Sequence, residues 1–174
     1  EQGSKYGIQH LIKEGLFKKE DMVIVPDSGN ENGSFIEIAE KSGIWFKICT
    51  RGKQAHASRP HTGLNAHRIG MDFALTLDRI LHNKYASKDA YFDPPESTFE
   101  PTKKDQNVDA VNIIPGEDTV YFDCRILPTY NPDEVMGYIN DLAREFENKT
   151  QATITVNITN MNVAPTATDS NAKI

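Results

Sequence analysis

The chain has 174 residues, of which 38% are hydrophobic and 25% charged, and a net charge of −6. That length suits one domain of ordinary size, or one domain plus pieces of another, and the composition excludes a disordered chain. The acidic balance argues against nucleic-acid binding, and no apolar run approaches the roughly 20 residues of a membrane span.

The two cysteines are too few for a disulfide scaffold, so a reducing cytoplasm is the default location. The first residue is Glu1, and the chain ends at Ile174, shortly after Asp169-Ser170, which reads as a helix N-cap. Both ends are expected to cut through structure, so the chain is expected to be an internal fragment of a longer protein.

In chain order, Ser4 to Glu14 reads as a short helix with Ile8, Leu11 and Ile12 on one side and Gly15 as its stop. Met22 to Val25 is a continuous apolar run of the kind buried on both faces of a sheet, and it ends at Pro26-Asp27-Ser28-Gly29. A second strand is expected over Phe35 to Glu40.

From Gly43 the pattern changes. Ile44 to Arg51 alternates, with Ile44, Phe46 and Ile48 on one face and Trp45, Lys47, Cys49 and Arg51 on the other. The loop Gly52 to Ala66 holds His56 between two alanines and is punctuated by Pro60 and Gly63. Leu64 to Leu81 follows as a helix, with Ile69, Phe73, Leu77 and Ile80 at helical spacing. A strand is expected through Ser97 to Pro101, then an exposed linker over Lys103 to Val108. The Pro115-Gly116 turn precedes a strand over Thr119 to Leu127.

Asn131-Pro132-Asp133-Glu134 supplies a cap, a first-turn proline and early acidic residues for a second helix that buries Val135, Ile139, Leu142 and Phe146. Thr153 to Ile158 is a last alternating strand. The order strand, helix, strand, strand, helix, strand predicts an α+β fold, the ferredoxin-like split βαβ: a four-stranded antiparallel sheet with both helices on one face. Trp45 lies on the other face, where a dimer or domain contact is expected. Parity places Cys124 on the core side and Cys49 on the opposite side, which forbids a disulfide between them.

Three segments then carry a resemblance. They are Glu1-Gln-Gly-Ser-Lys-Tyr-Gly-Ile, the loop from Gly52 through His56, Pro60 and Gly63 to Asn65-Ala66, and Asn112-Ile-Ile-Pro115-Gly116 followed by Asp123-Cys-Arg125. In this order they resemble the co-catalytic zinc exopeptidase and deacylase family. That family includes succinyl-diaminopimelate desuccinylase, acetylornithine deacetylase, aminoacylase and a glutamate-releasing carboxypeptidase. Phe92 to Thr102 is most similar to archaeal desuccinylase-like members.

The resemblance implies a lid, or dimerisation, domain over residues 43–160, with residues 1–42 and 161–174 as pieces of an α/β catalytic domain. It implies a zinc-dependent amidohydrolase that is a homodimer through the lid, with two zinc ions (cobalt as a substitute) and a small N-acyl amino acid or peptide as substrate. Neither a nucleic-acid nor a membrane partner is expected.

Residue by residue, it implies that Glu1 and Asp27 are metal ligands, that His56 is a catalytic donor to the oxyanion in the partner subunit's site, and that Asn112 and Arg125 bind substrate. The residues alone leave alternatives open. Glu1 is also readable as a frayed terminus, Asp27 as a turn former and Asn112 as a turn cap. Arg125 is readable as one half of an ion pair with Asp123. His61, His67 and His82 read as solvated loop and helix-surface residues, and Gly63 and Gly116 as suppliers of special backbone angles. The resemblance also implies further metal ligands, a histidine and an aspartate upstream and a histidine downstream of this sequence, so the fragment alone is expected to be inactive.

Overall fold

The computed structural model describes residues 6–18, 21–24, 31–34, 36–164, 167–169 and 171. It divides into two compact units, Glu1–Ile38 with Asp169–Ile174, and Ala39–Thr168.

In the first unit, helix α1 (Tyr6–Lys13) ends at Gly15, whose φ of 66° is left-handed. The Leu16 N–H returns to the Leu11 carbonyl at 3.1 Å, which closes the helix end. The strands expected at Met22 to Val25 and Phe35 to Glu40 are not formed among the described residues, 22–24 and 36–40. Met22, Val23 and Ile24 are 68%, 65% and 73% exposed, so the expected burial on two faces is absent as well. An apolar run becomes a strand only when a neighbour supplies ladder hydrogen bonds, and no described residue of this unit pairs with either run.

The second unit has the predicted architecture. Its sheet comprises β1 (Ser42–Arg51), β3 (Thr98–Lys104), β5 (Glu117–Ile126) and β6 (Thr153–Asn162) in the order β3-β5-β1-β6, with every pairing antiparallel. A separate two-stranded ladder joins β2 (Ala55–His56) to β4 (Ile113–Ile114). Helices α2 (Ala66–Lys84) and α3 (Pro132–Thr150) both pack on the core face of the sheet and on each other.

Their ends follow local chemistry. Asn65 and Asn131 cap them by accepting the N–H of Arg68 and of Asp133, and Pro132 occupies a first-turn position where its missing N–H costs nothing. α3 stops at Gln151, which is left-handed at φ 63°.

The core is built where the two periodicities meet. Ile44, Phe46 and Ile48 of β1 and Phe122, Cys124 and Ile126 of β5 face Phe73, Leu77 and Leu81 of α2 and Val135 and Ile139 of α3. Phe46 and Phe122 are directly opposite in the ladder, and their rings stack at 5.1 Å and 3°. The other sheet face carries Trp45, which is 41% exposed. Cys124 is buried and Cys49 only partly so; both thiols are free and lie on opposite faces, as parity requires. Burial pushes the Cys124 thiol pKa up.

Several bounds moved. β3 runs on to Lys104, two residues into what reads as an exposed linker, and β6 extends to Asn162 through a bulge opposite Trp45 and Phe46.

Candidate functional site

The loop after β1 is closed by main-chain bonds on both sides. The Gly52 N–H donates to the Gly116 carbonyl at 2.8 Å, and Lys53 and Leu64 exchange a pair of bonds of 2.8 Å each. The Ala57 N–H reaches the Asn112 carbonyl at 2.8 Å, and the Ala66 N–H reaches that of Pro115 at 3.0 Å. The β2–β4 ladder lies between them and sets Ala55 opposite Ile114 and His56 opposite Ile113.

Gly63 and Gly116 are not in left-handed conformations, contrary to the sequence expectation. What they permit is close approach: a Cβ on Gly63 would lie 2.7 Å from the Ala55 Cβ, and one on Gly116 would lie 3.1 Å from the Gln54 nitrogen.

This frame presents His56 to solvent on a fixed backbone. The Ser58 N–H donates to its Nδ1 at 3.2 Å, and the Ser58 hydroxyl lies 2.8 Å from the same nitrogen. A neutral imidazole whose Nδ1 accepts carries its proton on Nε2. Nε2 lies 3.3 Å from Asn112 Nδ2. Because Nδ1 already accepts from Ser58, the Nε2–H tautomer pairs with Asn112 only when the amide is turned so that its oxygen faces the ring, an exchange of O and N that hydrogen bonding alone assigns. Two residues named from sequence, His56 and Asn112, are thus brought together across 56 positions of chain.

Arg125 stands apart from them. It lies near the far end of β5, roughly 27 Å along the strand from Glu117. There its Nε and Nη2 donate to the two carboxylate oxygens of Asp123 at 2.8 and 2.9 Å. The ion-pair alternative is the arrangement present, on a half-exposed surface.

Sequence reasoning missed a buried carboxylate. The Asp118 side chain has no solvent exposure. It accepts from Lys104 Nζ through both oxygens, from Asn107 Nδ2 at 2.7 Å and from His67 Nδ1 at 3.0 Å. His67 is therefore not a free helix-surface residue, and the expected exposed linker supplies two of the three donors. The signal was present: Asp118 shares strand parity with Val120, Phe122, Cys124 and Ile126, and a carboxylate on the core face requires donors.

Among the described residues no three His, Cys, Asp or Glu side chains group as a metal site. Glu1 and Asp27 lie outside the described residues. The described residues therefore do not by themselves fit a zinc centre.

The peptidase dimerisation domain family, M20, matches residues 38–151, which take in β1, β3 and β5 of the sheet, both helices and the His56 loop, and stop just before β6. The chain belongs to this family. It is 42% identical over 186 aligned residues to an uncharacterized metallohydrolase of Methanocaldococcus jannaschii, an alignment that takes in 100% of this chain and 45% of the relative. A succinyl-diaminopimelate desuccinylase of Wolinella succinogenes is 24% identical over 140 residues, 80% of this chain and 37% of the relative.

A solved hydantoinase/carbamoylase family amidase from Burkholderia ambifaria matches the fold with a TM-score of 0.63 at 17% identity, over 76% of this chain and 31% of that one. The chain thus spans less than half the length of each. Among the described residues, no helix of the dimerisation domain or of the first unit is long and apolar enough to cross a membrane.

Proposed function

We propose that the protein carrying this domain is a metal-dependent hydrolase that cleaves an amide bond, removing the acyl group from an N-acyl amino acid. A succinylated substrate is favoured by the desuccinylase relatives. The observation that carries the reading is the His56–Asn112 pair: an exposed imidazole on a loop closed by main-chain bonds, its Nδ1 accepting from Ser58 and its Nε2 3.3 Å from the Asn112 amide.

A preorganised N–H of this kind stabilises negative charge developing on a carbonyl oxygen. The match to a dimerisation domain favours action in the partner subunit of a homodimer formed through this domain. Asn112 would orient the same oxygen. Arg125, once released from Asp123, would hold a substrate carboxylate in two parallel bonds. Zinc is the metal this reading implies, with Glu1 and Asp27 as this chain's contributions to its ligand set. Two free thiols suit a reducing compartment, the cytoplasm.

The family's peptidase description supports a second reading, a metallo-exopeptidase. Because the match is to a dimerisation domain, the isolated chain would be a non-catalytic dimerisation module. A panel of N-succinyl and N-acetyl amino acids, dipeptides and carboxypeptidase substrates, offered to the full-length protein with zinc or cobalt, separates these readings. Preference for acyl amino acids is expected, preference for dipeptides would select the exopeptidase, and inertness toward every amide would overturn both.

A further inference from the structure

We infer that Asp118 is a positioning residue for the His56–Asn112 pair. Its three donors belong to three pieces of chain: Lys104 to the end of β3, Asn107 to the segment that leads to Asn112, and His67 to the first turn of α2. The last two border the functional loop. Asn65 and Ala66 close the His56 loop at the start of α2, one residue before His67. Four residues separate Asn107 from Asn112. The Asp105 N–H bonds the Thr119 carbonyl at 3.1 Å, and Tyr121 donates to Asp105, so that segment is anchored at its root beside the same carboxylate.

On its own strand, Asp118 stands two residues after Gly116, whose carbonyl receives the Gly52 N–H. One sealed carboxylate therefore holds both arms that converge on the imidazole.

Stability alone does not call for an acid here. A well-packed apolar side chain at a buried position stabilises as much as a paired charge or more, because desolvation offsets the Coulombic gain. What a carboxylate with three directed donors adds is a fixed register between segments. Gly70 of α2 agrees with this, since a Cβ there would stand 2.8 Å from Asp118 Oδ2; the helix comes down onto the carboxylate where it has no side chain.

The inference rests on the proposed role of His56 only for its kinetic consequence, and the test keeps the two apart. Imidazole ¹⁵N–¹H correlation spectra are recorded on the full-length protein and on Asp118→Asn and Asn107→Ala, with His56→Ala identifying the His56 signals. Asn107→Ala deletes one amide from a partly buried loop, and it decides the matter where Asp118→Asn does not fold.

The expected result is that the His56 ring signals shift and its Nε2–H tautomer is no longer uniform. kcat on the best amide substrate falls roughly tenfold to a hundredfold, as a displaced catalytic group produces, while KM and bound metal stay unchanged. A lowered melting temperature with His56 signals at their wild-type positions would overturn the inference. Shifted signals with wild-type turnover would support the positioning and overturn the catalytic reading of His56 instead.

Discussion

The two ends of β5 carry the same pair of charge types in opposite settings. At one end Asp118 is sealed from water and shared by three donors from three segments. At the other Arg125 and Asp123 form a bidentate pair on a surface where their side chains are 49% and 31% exposed. The exposed pair is local, two residues apart on one strand, and solvent competes for both partners. The buried one joins distant parts of the chain. A charge fixes architecture when water cannot replace its partners, and it remains available to a ligand when water can.

Breaking the buried end should have the largest effect. Asp118→Ala leaves Lys104 and Asn107 facing a void without an acceptor, and the expected loss is about 2–3 kcal/mol, below the range for fully buried pairs because Lys104 keeps partial access to water. Urea unfolding measures it.

Gly70→Ala presses a methyl group into the same carboxylate. Overpacking of about 1–3 kcal/mol is offset in part by the better helix propensity of alanine, about 1 kcal/mol, so a net loss of about 0–2 kcal/mol is expected. Arg125→Ala should change stability by less than about 1 kcal/mol in the same assay, and a larger loss would erase the contrast between the two ends. The smallest perturbation is chemical: a thiol reagent at mildly alkaline pH should label Cys49 in the folded protein and spare Cys124, whose pKa burial raises. Mass spectrometry of the labelled peptides reads the ratio.

The sheet, the helices and their caps were legible because each rests on a local or periodic signal. Alternation placed Ile44, Phe46 and Ile48 inside, and Asn131-Pro132 marked the start of α3 where the structure has it. His56 and Asn112 were legible through a motif, but their meeting was not. It depends on a two-residue ladder, β2 with β4, that is too short to leave a periodicity.

The Asp118 cluster was missed for a related reason. Lys104 and Asn107 lie in a polar run that reads as solvated, and it is a core-facing carboxylate that their side chains donate to. The apolar runs before residue 40 show the converse. Composition favours strands there, yet no described neighbour supplies the hydrogen bonds.

The central claim is that His56 is held as an outward N–H donor and acts on substrate without binding metal. It is tested most directly by steady-state kinetics and metal analysis of His56→Ala in the full-length protein. The account predicts that kcat falls about 10²- to 10³-fold, the usual loss for an oxyanion donor, while bound metal stays at the wild-type level. Loss of metal with the side chain, or wild-type turnover without it, would contradict the account.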